Sequence, residues 1–95
     1  MYWGGLIVVS QLVKVVNPTG LDVNPAGHLC REAVKYKSKV TYRYGAGNIA
    51  NAKSMLSVLG SSVRYGEEIE LVCEGEDEEE ALKHLVQCLE KGLED

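Results

Sequence analysis

The sequence has little of several residue types on which whole classes of protein depend. It contains no phenylalanine, two prolines, two histidines and three cysteines among 95 residues. A dense, even set of cysteines would indicate a secreted disulfide scaffold, whereas Cys30, Cys73 and Cys88 are odd in number and widely spaced, as is typical of a reducing cytoplasm. From their number and spacing the histidines and cysteines also predict no structural zinc site, and we expect neither a metal nor a cofactor.

Positive charge is also scarce. The chain has 10 Lys and Arg against 14 Asp and Glu, a net charge of −4. A nucleic-acid-binding protein needs a basic face to displace counterions from phosphates, so we expect no direct contact with nucleic acid. The apolar N-terminus carries no basic residue and is too short to span a bilayer, which predicts neither a signal peptide nor a membrane partner. We therefore expect a cytoplasmic protein with one domain.

Hydrophobic periodicity predicts seven elements. Strand patterns occupy residues 6–16, 39–44, 48–51 and 68–73. Helical patterns begin at about Pro25, extend over residues 54–59 with Ser54 as N-cap and Gly60 as terminator, and occupy a last segment from about Glu76 to Gly92. The order β-α-β-β-α-β-α predicts an α+β fold with helices on one face of an antiparallel sheet. A ferredoxin-like unit has nearly the same order, and periodicity does not separate the two.

The first helix carries an apolar stripe at positions i, i+3, i+4, i+7 and i+8: Ala26, Leu29, Cys30, Ala33 and Val34. Proline is favoured at the first helical position, which makes Asn24 the expected N-cap and Asp22 its rival. His28 and Glu32 fall on the predicted solvent side. In the last helix, the acids of residues 76–80 are expected to form a solvated first turn, where the helix dipole favours negative charge.

Several short motifs occur in a specific order and spacing: Thr19-Gly20-Leu21, Pro25-Ala26, Asn51-Ala52-Lys53-Ser54-Met55, Gly66-Glu67-Glu68-Ile69, and the acidic stretch from Gly75 to Leu82. From about Val13 to Lys91 the chain thus resembles HPr, the small phosphocarrier of the bacterial sugar phosphotransferase system, and especially its catabolite-repression paralogue. The resemblance implies an open-faced β-sandwich, a four-stranded antiparallel sheet with three helices on one face. It also implies an N-terminal extension over residues 1–7 and a single HPr-like domain over residues 8–95.

The chain departs from the family motif where the chemistry is carried out. The family's phosphocarrier motif is His-Ala-Arg-Pro, whereas the matching stretch here is Asp22-Val23-Asn24-Pro25. A carboxylate is already negative and only accepts hydrogen bonds, so it repels an incoming phosphoryl group. This departure from the motif therefore predicts a non-catalytic protein that is neither a phosphocarrier nor an enzyme. Asp22 would then serve as a helix cap. The alternative is a phosphocarrier with a displaced acceptor, Asp22 or His28.

Ser54 matches the serine that an ATP-dependent HPr kinase phosphorylates in Gram-positive members of the family. The resemblance implies that the phosphorylated form binds a catabolite-control transcription factor. A helix N-terminus suits a phosphate, and we expect Lys53 to add a cation beside it. Family partners dock on an apolar patch, and exposure of Met55 together with a leucine would favour docking here. The matching positions in this chain are Val23, Gly27, Met55, Leu56 and Leu59.

The N-terminal extension lies outside the resemblance. It carries Tyr2 and Trp3, and two exposed aromatic side chains are unfavourable in a free tail. We therefore expect residues 1–7 to pack or to form a homodimer contact. Three hypotheses follow for the whole chain: a regulatory or adaptor protein, a phosphocarrier with a displaced acceptor, or a scaffold that acts by self-association.

Overall fold

The computed structural model describes residues 8–93, and the predicted extension at residues 1–7 lies outside them. The predicted order of elements is confirmed: β1 (Val8–Lys14), α1 (Val23–Ala33), β2 (Lys39–Tyr44), β3 (Asn48–Asn51), α2 (Met55–Ser61), β4 (Glu68–Glu74) and α3 (Glu78–Lys91). None of the helices in this described range has the length and apolarity that crossing a bilayer requires.

The four strands form one antiparallel sheet in the order β1-β4-β2-β3. Because side chains alternate along a strand, one face carries the core and the other meets solvent. The core face includes Val13, Tyr42 and Leu71, all buried, whereas Leu12 and Ile49 are exposed on the opposite face. All three helices pack on the core side, with α3 against β1 and β4, α2 against β3, and α1 against the other two helices. The fold is the expected open-faced β-sandwich.

The start of α1 differs from the prediction, because Asp22 rather than Asn24 is the N-cap. The Asp22 backbone is extended, its Oδ1 accepts a hydrogen bond from the Val23 amide at 2.8 Å, and its carbonyl accepts one from the Ala26 amide at 2.7 Å. Pro25 lies within the first turn, where its missing N–H leaves no helical bond unmade. The prediction of Asn24 was wrong because it required proline at the first helical position.

The predicted stripe of α1 is only partly buried. Ala26, Leu29 and Ala33 are fully buried in the core. Cys30 is half-buried, and Val34 is 58% exposed because the helix has already ended there and Val34 is its C-cap. The buried stripe of α1 therefore extends to its last residue, Ala33, and only the C-cap residue Val34 lies outside the core.

The second helix begins as predicted and ends later. Ser54 caps it by accepting a hydrogen bond from the Ser57 amide at 3.2 Å. The helix extends past Gly60 to Ser61 and terminates at Ser62, whose φ is +52°. Ser61 is buried, and its hydroxyl donates to the Val58 carbonyl at 2.6 Å. The Tyr42 hydroxyl lies 2.7 Å from Ser61 Oγ. These bonds hold the last turn in helical form, so Gly60 does not terminate it. Burial raises the pKa of Tyr42 to about 12.

The acidic run before α3 is not simply a solvated turn. Asp77 is the N-cap residue of α3, but its carboxylate accepts hydrogen bonds from the Ser38 hydroxyl and from the Lys37 and Ser38 amides, the two amide bonds being 2.9 Å long. Glu78 is only 2% exposed, and its Oε1 accepts a hydrogen bond from the Gly75 amide at 3.0 Å. The run therefore fastens the start of α3 to the loop before β2, and the prediction of a fully solvated turn was wrong.

Substitution of Asp22 tests the capping assignment. We expect Asp22→Ala to lower the free energy of unfolding by about 1 kcal/mol, because it removes the side-chain acceptor at the N-cap. Asn24→Ala is the matched control and should leave stability nearly unchanged, since alanine is a better helix former at an exposed helical position. Urea unfolding followed by circular dichroism measures both. Equal losses in the two variants would contradict the assignment.

The hydrogen bonds to Asp77 predict a pH-dependent contribution to stability. The Ser38 hydroxyl, followed by the Lys37 amide, lowers the pKa of Asp77 to about 2. A lowered folded-state pKa gives stability that is complete above the unfolded value of about 3.9 and is lost as the pH falls through about 2. The difference in unfolding free energy between the native chain and Asp77→Asn should therefore shrink between about pH 4 and about pH 2.

Glu76→Gln, an exposed position in the same acidic run, is the control for Asp77→Asn and should show no such pH dependence. Urea titrations at neutral pH and at several acidic pH values supply the data. A destabilisation by Asp77→Asn that stays constant over the whole range would refute the role given to these hydrogen bonds.

Candidate functional site: the starts of helices α1 and α2

The loop that follows α2 packs closely against the segment before α1. Gly20 makes this approach feasible, because its φ is +70° and a Cβ there would lie 2.3 Å from the Val63 carbonyl oxygen. The Leu21 amide donates to that same oxygen at 2.9 Å. An open cavity of about 190 Å³ lies between the two segments, and its lining consists of Thr19, Leu21, Asp22, Leu59, Ser62, Val63 and Arg64. The predicted site residue Asp22 thus lies at a surface depression that also includes a cation, Arg64.

The Asp22 carboxylate is exposed, and its hydrogen bond to the Val23 amide uses one of the donors that a helix N-terminus would offer to an anion. Asn24 is exposed in the same turn. The N-terminus of α1 therefore carries a negative side chain at the place where a phosphate would need free donors. This arrangement stabilises the helix and makes the site less able to hold a second anion.

The chain has two histidines, and neither lies at this cap. His28 is six residues after Asp22, which is about 9 Å along a helix axis. The pKa of Glu32, one turn later, is lowered chiefly by its hydrogen bond to Lys35. His28 is half-buried, whereas the helical pattern predicted a residue on the solvent side. His84 lies on α3, where its ring nitrogens contact Tyr36 and Glu32. Neither histidine of residues 8–93 therefore occupies the cap position itself.

Ser54 lies half-buried at the start of α2, within a small network of hydrogen bonds. Its amide donates to the Asn51 carbonyl at 3.0 Å, and its carbonyl accepts from the Val58 amide at 3.0 Å. Ser57, one turn into the helix, accepts a hydrogen bond from the Asn51 amide at 2.8 Å. The Ser54 hydroxyl thus adjoins the first-turn amides of α2, the donors that favour a phosphate.

The cation predicted beside Ser54 is directed elsewhere. The Lys53 ammonium donates to the Tyr36 carbonyl at 2.7 Å, and the Lys53 amide donates to Asn51 Oδ1 at 2.9 Å. The carbonyl of Tyr36 follows the end of α1, where carbonyls lack helical partners and attract cations. Lys53 therefore connects α2 to the end of α1, and a phosphate at Ser54 would have to compete for it.

The apolar positions predicted for partner binding do lie at the starts of α1 and α2. Val23 is 57% exposed and Leu56 is 84% exposed, while Met55 and Leu59 are half-buried. Gly27 lies on α1, where a Cβ would make only an ordinary contact with Met55 Cε at 4.0 Å. Exposure of a leucine beside a partly exposed methionine is the arrangement that favours docking over a purely structural role.

A cluster of side chains that the sequence patterns did not predict lies between α1 and α3. Glu32, His84 and Cys88 each offer a ligand atom, and these atoms lie within 4.8 Å of one another. The expectation that no histidine and cysteine occur at ligand spacing was wrong, because His84 and Cys88 are four residues apart and share one face of α3. That spacing was the available signal, but Glu32 joins the pair only through the packing of α1 on α3.

The sequence of this chain is similar to those of known proteins. Residues 9–91 match the family model described as "PTS HPr component phosphorylation site". The chain is 35% identical to the phosphocarrier protein HPr of Mycoplasma genitalium over 81% of this chain and 88% of that protein. It is 38% identical to the HPr-like protein Crh of Bacillus subtilis over 82% of this chain and 91% of that protein.

The structure agrees with these matches. It superposes on the crystal structure of the phosphocarrier protein HPr from Bacillus anthracis with a TM-score of 0.81 and 29% identity, over 86% of this chain and 96% of that one. Proteins of this family are phosphocarriers rather than enzymes, and they interact with other proteins. A homodimer contact through residues 1–7 lies outside the described residues and stays a prediction. This chain belongs to the HPr family of the bacterial phosphotransferase system.

Proposed function

We propose that this HPr-like protein is a regulatory or adaptor protein, linked to the phosphotransferase system and to carbon catabolite control, that acts by protein contact rather than by carrying phosphate. The observation that carries this proposal is the side chain at the cap of α1. Asp22 occupies the position that the family motif gives to the phosphoacceptor histidine, and its carboxylate is already bound to the Val23 amide.

The chemistry of phosphoryl transfer distinguishes the two side chains. A neutral imidazole nitrogen attacks the phosphorus with its lone pair, and the phosphoramidate that forms passes its phosphoryl group to the next carrier. The carboxylate of Asp22 repels the dianion of the donor, and aspartyl phosphates form at sites that use a metal and further acids. Asn24 also replaces the family's arginine, so a charged donor to the phosphoryl oxygens is lost.

The alternative function, a phosphocarrier with a displaced acceptor, has one observation in its favour. Arg64 lines the cavity beside Asp22 and is a cation that could compensate for the missing arginine. His28, the other candidate acceptor, lies about two turns along α1 from the cap. The regulatory function remains the better supported of the two, because neither candidate combines a neutral nucleophile with the helix N-terminus.

Protein contact and regulation are assigned to the starts of the two helices. Leu56, at 84% exposure, is the most exposed of the apolar residues assigned to this face, and Val23 at the start of α1 is 57% exposed. We infer that partners dock there, including an HPr kinase that phosphorylates Ser54 and a catabolite-control transcription factor that binds the product. A phosphate on Ser54 adds about two negative charges to the edge of this face, which changes its complementarity to a partner.

Labelling with phosphoenolpyruvate tests the loss of phosphocarrier activity. Incubated with the general phosphotransferase enzyme and labelled phosphoenolpyruvate, the full chain should remain unlabelled. The double variant Asp22→His with Asn24→Arg is the positive control, and we expect it to gain label because the imidazole and the guanidinium then lie at the same helix start. Label on the native chain at Asp22 or His28, located by mass spectrometry, would establish the alternative.

Incubation with an HPr kinase and ATP tests the regulatory site. We expect one phosphate per chain on Ser54 and none in Ser54→Ala, since the hydroxyl is the phosphate acceptor. Ser57→Ala is the matched control, because Ser57 lies in the same turn and should leave incorporation intact. Intact-protein mass spectrometry counts the phosphates. Equal incorporation in Ser54→Ala, or none in the native chain, would remove Ser54 from the proposal.

A further inference from the structure

Two helices bring together an acid, an imidazole and a thiol that the proposed function does not use. Glu32 comes from α1, and His84 and Cys88 come from successive turns of α3. His84 Nε2 lies 3.1 Å from Glu32 Oε1, and the three ligand atoms lie within 4.8 Å of one another. All three residues are partly exposed, so an ion could reach them from solvent without unfolding the protein.

The three groups are of the kinds that bind zinc. A thiolate, an imidazole and a carboxylate coordinate Zn²⁺ at about 2.0–2.3 Å, which places any two ligands of a tetrahedral site about 3.3–3.8 Å apart. Glu32 Oε1 and His84 Nε2 lie 3.1 Å apart, slightly closer than this separation. The thiol needs to close by at most about 1 Å, and side-chain adjustment supplies both changes. Magnesium and calcium prefer oxygen ligands alone and do not fit this set.

The neighbouring groups orient the ligands. The Tyr36 hydroxyl is hydrogen-bonded to His84 Nδ1, so the other nitrogen, Nε2, faces Glu32. A partner on the second ring nitrogen is a usual feature of metal-binding histidines. The Lys35 ammonium lies 3.0 Å from both oxygens of Glu32, and it can remain on Oε2 while Oε1 binds a cation.

We propose that Glu32, His84 and Cys88 form a binding site for one divalent transition-metal ion of the zinc class. The ion replaces the thiol proton, which passes to solvent, and accepts lone pairs from sulfur, nitrogen and oxygen. Three protein ligands leave the fourth tetrahedral position for water or for a donor from a partner. Because the ligands come from both α1 and α3, the ion joins α1, the helix that Asp22 caps, to α3.

Cobalt binding to the full, reduced chain tests the site. Tetrahedral Co²⁺ bound to a thiolate absorbs in the visible range and has a sulfur-to-cobalt charge-transfer band in the ultraviolet. We expect both bands to saturate at one ion per chain and to disappear when Zn²⁺ is added. Cys88→Ser should abolish the charge-transfer band, and His84→Gln should weaken binding at least about tenfold.

Cys30→Ser is the matched control, because Cys30 is also a half-buried thiol but lies outside the cluster. It should bind cobalt as the native chain does, and circular dichroism checks that each variant is folded. Tyr36→Phe should weaken binding about 10- to 100-fold, the usual effect of losing a group that orients a metal-binding histidine. Charge-transfer absorption that persists in Cys88→Ser but is lost in Cys30→Ser would overturn the assignment.

A second measurement uses the native chain and needs no substitution. Zn²⁺ should slow the reaction of Cys88 with a thiol reagent, as identified by peptide mapping, and should leave the reaction of Cys30 unchanged. It should also raise the midpoint of thermal unfolding, since an ion that binds only the folded chain stabilises it. Equal reactivity of Cys88 with and without zinc, together with an unchanged midpoint, would mean that the three residues are only a hydrogen-bonded cluster.

Discussion

The packing of three helices on one face of a four-stranded sheet is the constraint on which the rest of the molecule depends. Each strand contributes alternate side chains to the core, and the helices cover that face and leave the other to solvent. Burial of Leu29 from α1, Val58 from α2 and Leu85 from α3 fixes the helices against the sheet. Their exposed ends, where the candidate site lies, are therefore held in place by the core beneath them.

The functional interpretation depends on what occupies a helix start. In both α1 and α2 the cap is a side-chain oxygen, of Asp22 in α1 and of Ser54 in α2, that accepts a hydrogen bond from a backbone amide. The two caps differ in chemistry, because a carboxylate excludes a second anion whereas a hydroxyl can be converted into a phosphate ester. In the proposed function, the docking face of the family is kept and phosphorylation takes place at the cap of α2 instead of the cap of α1.

The α1–α3 contact adds chemistry that is independent of those caps. Glu32, His84 and Cys88 meet there because the same packing that buries Leu29 and Leu85 places the partly exposed sides of the two helices next to each other. If the cluster binds a metal, the ion reinforces a contact that the core has already made. The two proposals therefore place regulation at the helix starts and metal binding at the contact between α1 and α3.

Periodicity, local turn chemistry and motifs such as residues 51–55 were enough to predict the element order, the α+β class, the cap at Ser54 and the family. At the start of α1 local patterns left two candidates, and the hydrogen bonds of Asp22 to Val23 and Ala26 separate them. The late end of α2 at Ser61, the buried state of Glu78 and the meeting of Glu32 with His84 and Cys88 were not predictable. These features depend on the packing of elements that are distant in the chain, such as Tyr42 against Ser61, and sequence spacing carries no information on that packing.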